Sequence, residues 1–146
     1  MLGLIQRVSS ASVLIENTIC GHINQGILLL LGIEKNDTFS QADQLLKKLL
    51  NYRVFNDGNG KMNMSLRDIS GDLLIVSQFT LAADTNKGLR PSFYSSAPHE
   101  PAKILYEYFL DQAKKTHNGA VANGEFGADM QVSLCNDGPV TFLLSN

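Results

Sequence analysis

Cysteine, basic charge and long apolar runs are all scarce in this chain, and each scarcity excludes a class of protein. There are two cysteines, Cys20 and Cys135, far apart and outside any CxxC pattern. A disulfide framework is thereby excluded, and nothing points to an oxidising compartment. Apolar neighbours on both sides predict two buried free thiols. The longest apolar stretch, Ile27 to Leu31 between Gly26 and Gly32, falls far short of the roughly 20 residues of a membrane helix. Met1 to Arg7 shows neither a long apolar run nor a small-residue cleavage site, so the expected location is the cytoplasm, away from membranes. Lys and Arg number 12 against 14 Asp and Glu, a net charge of −2. Proteins that grip many phosphates are usually basic, because their affinity comes from counterion release. Adjacent cations occur only at Lys47-Lys48 and Lys114-Lys115. Charge thus offers no case for DNA, and an RNA substrate would be held at few phosphates.

Metal and cofactor signals are missing as well. His22, His99 and His117 share no ligand spacing with each other or with the cysteines, so no metal site is expected. Surface or helix-capping roles suit them better. Neither a phosphate-cradling glycine motif nor a G-x-S-x-G elbow is present, and no cofactor is implied.

What remains is an ordinary globular composition, 44% hydrophobic over 146 residues, which fits one domain spanning 1–146. Leu2 to Ile23 reads as two strands around a Glu16-Asn17 turn. Gly26 to Gly32 is a continuous apolar run that suits a strand covered on both faces. Thr38 and Gln41 have capping-box spacing, and Ala42, Leu45, Leu46, Leu49 and Leu50 follow at helical period. That helix should stop near Tyr52. Arg53-Val54-Phe55 predicts a short strand, with turns at Asn56–Gly60 and Gly71-Asp72. Leu73 to Leu81 is the strongest strand signal, followed by a polar loop over Asp84–Pro91. A second helix follows Pro101, with Ile104, Leu105, Tyr108 and Phe109 as its expected buried stripe. Lys114, Lys115 and His117 suit its C-terminus and Gly119 its cap. Two apolar runs, Met130–Cys135 and Val140–Leu144, close the chain. The order predicts an α+β fold: a single domain with a strongly twisted, barrel-like, mostly antiparallel or mixed sheet and two main helices.

Two segments break local rules. Ser77-Gln78-Phe79-Thr80 places polar side chains at the end of an apolar strand. Alternation would turn Gln78 and Thr80 to one side, Ser77 and Phe79 to the other. Buried polar groups need partners, so this end should face a pocket, an interface or solvent. Asn136-Asp137-Gly138-Pro139-Val140-Thr141 carries Asp-Gly between apolar runs, which predicts a hairpin turn. Pro139 has no N–H for a ladder and belongs at a strand start or edge. A Gly-Pro bond can be cis.

On these two segments the sequence resembles the D-aminoacyl-tRNA deacylases, whose S-Q-F-T-L and N-x-G-P-V-T elements match Ser77–Leu81 and Asn136–Thr141. The similarity also includes Ile5-Gln6-Arg7-Val8, Gly88-Leu89-Arg90-Pro91-Ser92-Phe93 and Phe126-Gly127-Ala128-Asp129-Met130-Gln131-Val132. The resemblance implies a homodimer with active sites at the subunit interface. It implies a cis Gly138-Pro139 bond reaching into the partner's site, and a metal-free reaction. The implied substrate is the terminal adenosine of tRNA esterified to a D-amino acid or glycine. Ser77, Gln78 and Thr80 are then the expected catalytic residues, and Phe79, Met130, Gly138 and Pro139 should bind substrate. Thr80 as a nucleophile would need a neighbouring base, which the sequence does not identify. A route in which the adenosine 2′-hydroxyl helps to activate water, with main-chain N–H groups near Phe79 and Thr80 holding the oxyanion, fits better. The cis pair would exclude the L-substrate sterically and leave D side chains free. Two alternatives stay open: a Thr80 acyl-enzyme acting on another small ester, and a non-catalytic dimeric RNA-binding domain.

Overall fold

The computed structural model describes all residues, 1–146. Strand β1 (Leu2–Ile15) organises the sheet. Its C-terminal half pairs antiparallel with β2 (Thr18–Ile23), across the expected two-residue turn, where Glu16 and Asn17 adopt φ of 48° and 64°. Positive φ at both central residues matches the twist of the flanking strands. The N-terminal half of β1 pairs antiparallel with β3 (Gly26–Gly32), from Leu2 opposite Gly32 to Val8 opposite Gly26. Strand β8 (Gln131–Ser145) covers the other edge of β1, from Leu2 opposite Ser145 to Leu14 opposite Gln131. Two parallel additions complete the mixed sheet: β6 (Asp72–Ser77) beside β3, and β7 (Val121–Asn123) beside β6. A small hairpin of β4 (Phe55–Asn56) and β5 (Met62–Met64) stands apart.

The sheet nearly closes on itself. A Cβ on Gly21 of β2 would lie 2.9 Å from the Asn123 carbonyl of β7, so only glycine lets these two edges meet. Parallel pairing is equally tight at Gly26, where a Cβ would sit 1.9 Å from the Asp72 carbonyl oxygen.

Strand alternation divides the apolar residues between two cores. Ile27, Leu29 and Leu31 of β3, with Leu73 and Ile75 of β6, face the helices α1 (Phe39–Asn51) and α2 (His99–Thr116). Leu28, Leu74 and Val76 point the other way and pack with Val8, Ala11, Val13 and Ile23 inside the curl. The continuous run in β3 is thus covered on both faces, as expected. Helix α1 also follows expectation: Thr38 and Gln41 form the capping box, Ala42, Leu45, Leu46, Leu49 and Leu50 are buried, and Tyr52 ends it. The molecule is a single domain with two helices and a nearly closed, barrel-like mixed sheet.

Several expectations are corrected. The buried stripe of α2 is Ala102, Leu105, Tyr106, Phe109, Leu110 and Ala113, whereas Ile104 is exposed. The i, i+4 face is rotated by one position because Tyr106 can bury its ring. Its hydroxyl lies 3.1 Å from the carbonyls of Ile75 and Gly124. Gly119 does not cap α2; it sits against the Gly71 carbonyl, which a Cβ would meet at 2.2 Å. His117 is buried at the helix end, with Nε2 2.7 Å from that same carbonyl. Both cysteines are exposed, Cys20 on β2 and Cys135 on β8, because apolar neighbours in sequence alternate to the other face of a strand. The expected strand over Leu73–Leu81 stops at Ser77, and Phe79–Ala82 forms a 3-10 turn. No hairpin forms at Asp137-Gly138. Both final apolar runs belong to β8 and pair with β1 in one direction.

Candidate active site

Ser77 ends β6 opposite Leu31 of the parallel strand β3, and the Gln78 N–H donates to the Leu31 carbonyl at 2.8 Å. The carboxyl ends of these two strands open into a cavity of about 590 Å³. Leu31, Ile33, Val76, Ser77, Gln78 and Phe79 form one side of it. Opposite stand Ala97, His99 and Ala102 at the start of α2, the Phe126–Asp129 turn, and Met130 and Val132. The wall is held by packing: the Phe126 ring lies 5.2 Å from His99 and 5.6 Å from Tyr106. Burial pushes the Tyr106 phenol well above its ordinary pKa, so it stays a neutral brace between β6 and the segment after β7. Gly124 makes room for Met130, since a Cβ there would be 2.5 Å from the Met130 sulfur.

The 3-10 turn changes how the polar segment is presented. Gln78 and Thr80 do not share a strand face; instead the Gln78 side-chain amide donates to Thr80 Oγ1 at 2.6 Å. Thr80 is exposed and lies outside the cavity wall, next to Phe79, which lies within it. An amide cannot take up a proton at neutral pH, so this contact orients the hydroxyl without activating it. The Leu81 N–H is the first to bond back within the turn, to the Gln78 carbonyl. The N–H groups of Phe79 and Thr80 precede it and have no acceptor within the turn.

The second motif is a bulge inside β8. Between Gln6–Thr141 and Val8–Asn136, β1 advances two residues while β8 advances five. The extra residues, Asp137, Gly138 and Pro139, are pushed out into the open. Asn136 clamps the neck: its Oδ1 accepts from the Val140 N–H at 2.7 Å, and its Nδ2 donates to Thr141 Oγ1 at 2.9 Å. Arg7 clamps the base. Its Nε donates to the Asp137 carbonyl and its Nη1 to the Val54 carbonyl, both at 2.7 Å. At 9% exposure the guanidinium is nearly buried, and the Asp137 carboxylate 3.4 Å away compensates its charge. The Gly138-Pro139 bond is cis, and Gly138 has φ 149°, a conformation that disfavours a side chain.

Within one chain the two motifs do not meet. Ser77, Gln78, Phe79 and Met130 share the cavity; Thr80 stands beside it; Gly138 and Pro139 do not line it. Sequence reasoning missed Arg7 and most of the opposite wall. Arg7 had left one signal, a cation on the core-facing alternation of a strand. Ala97 and Ala102 left none, since small residues carry no pattern of their own.

Comparison with known proteins places the chain in a family. The family model described as D-Tyr-tRNA(Tyr) deacylase matches residues 4–145. The D-aminoacyl-tRNA deacylase of Pseudoalteromonas translucida (strain TAC 125) is 64% identical over 145 residues, covering 99% of both chains. That of Stutzerimonas stutzeri (strain A1501) is 60% identical over 146 residues, covering 100% of both. Among solved structures, c-Myc DNA Unwinding Element Binding Protein superposes with a TM-score of 0.95 at 41% identity, over 100% of this chain and 99% of that one. A probable eukaryotic D-amino acid tRNA deacylase shares the fold, with a TM-score of 0.88 at 16% identity over 99% of this chain and 98% of that one. Matched over nearly its whole length, this chain belongs to the D-Tyr-tRNA(Tyr) deacylase family.

Proposed function

We propose that the protein is a cytoplasmic homodimeric hydrolase, spanning 1–146, that cleaves the ester of D-aminoacyl-tRNA and of glycine mischarged onto tRNA. One observation carries this reading. An apolar cavity with a polar end lacks a lid in its own chain, while a firmly clamped, projecting bulge lacks a cavity in its own chain. Two copies related by a two-fold axis satisfy both, each bulge entering the partner's cavity. Exposed Leu134, Phe142 and Leu143 of β8 supply apolar surface for that contact.

In the reaction a water oxygen adds to the ester carbonyl and the bond to the ribose oxygen breaks. The ribose oxygen leaves with a proton, giving free tRNA and the amino acid. The Phe79 and Thr80 N–H groups hold the oxyanion, and the adenosine 2′-hydroxyl helps to deprotonate the water. Ser77, Gln78 and Met130 shape the pocket. The Gly138-Pro139 main chain fills the space that an L side chain would need; D side chains point away, and glycine has none to exclude. The Gln78–Thr80 hydrogen bond supports this route over a Thr80 acyl-enzyme.

Release assays with D-Tyr-tRNA, L-Tyr-tRNA and Gly-tRNA test the reading. Cleavage of the D and glycyl esters alone is expected. Equal cleavage of the L-ester removes the steric gate. Equally fast cleavage of simple esters without the nucleoside points to a general esterase, and no cleavage at all leaves an RNA-binding domain.

A further inference from the structure

An exposed surface runs from the cavity wall at Phe79 to residues that this chemistry does not use. Phe79, in the cavity wall, packs against Phe93 with ring centroids 5.0 Å apart and planes tilted by 54°, and both rings are exposed. Tyr94 follows, 81% exposed, with the Lys35 Nζ 3.8 Å above its ring. The backbone joins these pieces rigidly. The Lys35 N–H donates to the Ser95 carbonyl at 3.0 Å, and Ser96 Oγ donates to the Phe79 carbonyl at 3.2 Å. From the same ribbon, Asp84 pairs with Ser92 and projects a loop carrying Lys87 and Arg90. Neither cation forms an ion pair within the chain. The nearby Asp84 carboxylate is occupied by the Asn86 N–H and side-chain amide.

We propose that this aromatic and cationic ribbon binds the single-stranded 3′ end of the RNA, namely the nucleotides that precede the one entering the cavity. Exposed rings offer stacking platforms to successive bases, and unpaired cations at their flank meet the backbone phosphates. The arrangement also explains how a chain of net charge −2 holds RNA: cations are needed only along a short track that starts at the cavity mouth. The ribbon is continuous with the cavity through Phe79, which fixes the direction in which the strand leaves. This inference rests on the ester-hydrolysis reading, and its test separates the two.

Tyr94→Ala and the double variant Lys87→Ala/Arg90→Ala are compared with wild type on D-tyrosyl-tRNA and on D-tyrosyl-adenosine, which lacks the upstream nucleotides. KM for the tRNA should rise about tenfold with Tyr94→Ala, through loss of a stacked base. In the double variant, the dependence of log(kcat/KM) on log[salt] should flatten by about 1 to 2. Kinetics on D-tyrosyl-adenosine should not change. An unchanged KM for the tRNA, equal losses on both substrates, or an altered oligomeric state would each overturn the proposal. Wild type cleaving neither substrate would defeat the hydrolase reading alone. The affinity of uncharged tRNA for the same variants, measured without turnover, then still decides the surface.

Discussion

Single residues hold the bulge in place, and their loss should cost both activity and stability. A Cβ on Gly138 would lie 2.7 Å from Val140 Cγ2 and 2.8 Å from the Val140 N, at a φ that already disfavours a side chain. The same Cβ would come within 3.3 Å of the buried Arg7 guanidinium. We therefore expect Gly138→Ala to lose most turnover of D-Tyr-tRNA together with about 1–3 kcal/mol of stability, read by chemical denaturation. Arg7→Ala should do both kinds of damage. It removes the donors to the Asp137 and Val54 carbonyls and leaves the buried Val54 carbonyl without its partner, a loss of about 1–3 kcal/mol together with activity. Thr80→Ala is the opposite case: its hydroxyl touches only the Gln78 amide among side chains, so turnover should fall without vanishing. Complete inactivity, with an acyl adduct trapped on wild type, would restore the nucleophile. The types of these residues were legible in the sequence as turn formers and a polar strand end. Their roles were not, because Asn136–Thr141 and the Gln78–Thr80 contact acquire meaning only from partners distant in sequence, such as Arg7.

Helix α1 was read correctly from its period, the buried face of α2 was placed one position off, and segments whose residue types serve two geometries were misread. Helix α1 was legible to its cap and its last turn, since one apolar face and a capping box admit no other arrangement. Leu49→Ala in that face should cost about 2–5 kcal/mol of unfolding free energy, read by chemical denaturation, as a fully buried side chain leaves a cavity. The Asp137-Gly138 segment was misread because a reversal and a bulge both need residues that tolerate unusual φ. Which one forms is settled by β1, which is long enough to pair both apolar runs. The Ser77–Leu81 strand was misread for a similar reason: after Ser77 the strand leaves its partner β3, and a 3-10 turn satisfies the backbone locally. The turn at Ser65–Gly71 carries a pH signature. Asp68 accepts hydrogen bonds from the Ser65 N–H and hydroxyl, which hold its carboxyl below the ordinary pKa. A depressed folded-state pKa means the contribution is complete above the unfolded-state value and is lost as pH falls through the folded one. The stability gap between wild type and Asp68→Ala should be constant near neutrality and close progressively below about pH 4.

At the scale of the whole molecule, the decisive question is whether each bulge serves its own cavity or its partner's. The curl, the helices and the single domain could be anticipated, because the cores are complete within one chain. Residue pattern alone did not bring the two motifs together; only the resemblance to the deacylases implied that they meet, because the bulge is a turn-like surface segment in the sequence. Subunit complementation settles the point. Let one protomer carry Gly138→Ala, with a damaged bulge and an intact cavity. Let the other carry Ala128→Trp, which fills the cavity wall and spares the bulge. Each variant alone should be nearly inactive. If the bulge inserts across the two-fold axis, a mixed dimer contains one site built from the intact cavity and the intact bulge. Random co-assembly makes half the dimers mixed, each with one working site of two, so about a quarter of wild-type activity should return. Insertion within a chain predicts no recovery, because neither protomer then holds both intact halves. Differential tags that isolate the mixed dimer raise the expected recovery to about half and remove any ambiguity from unequal expression.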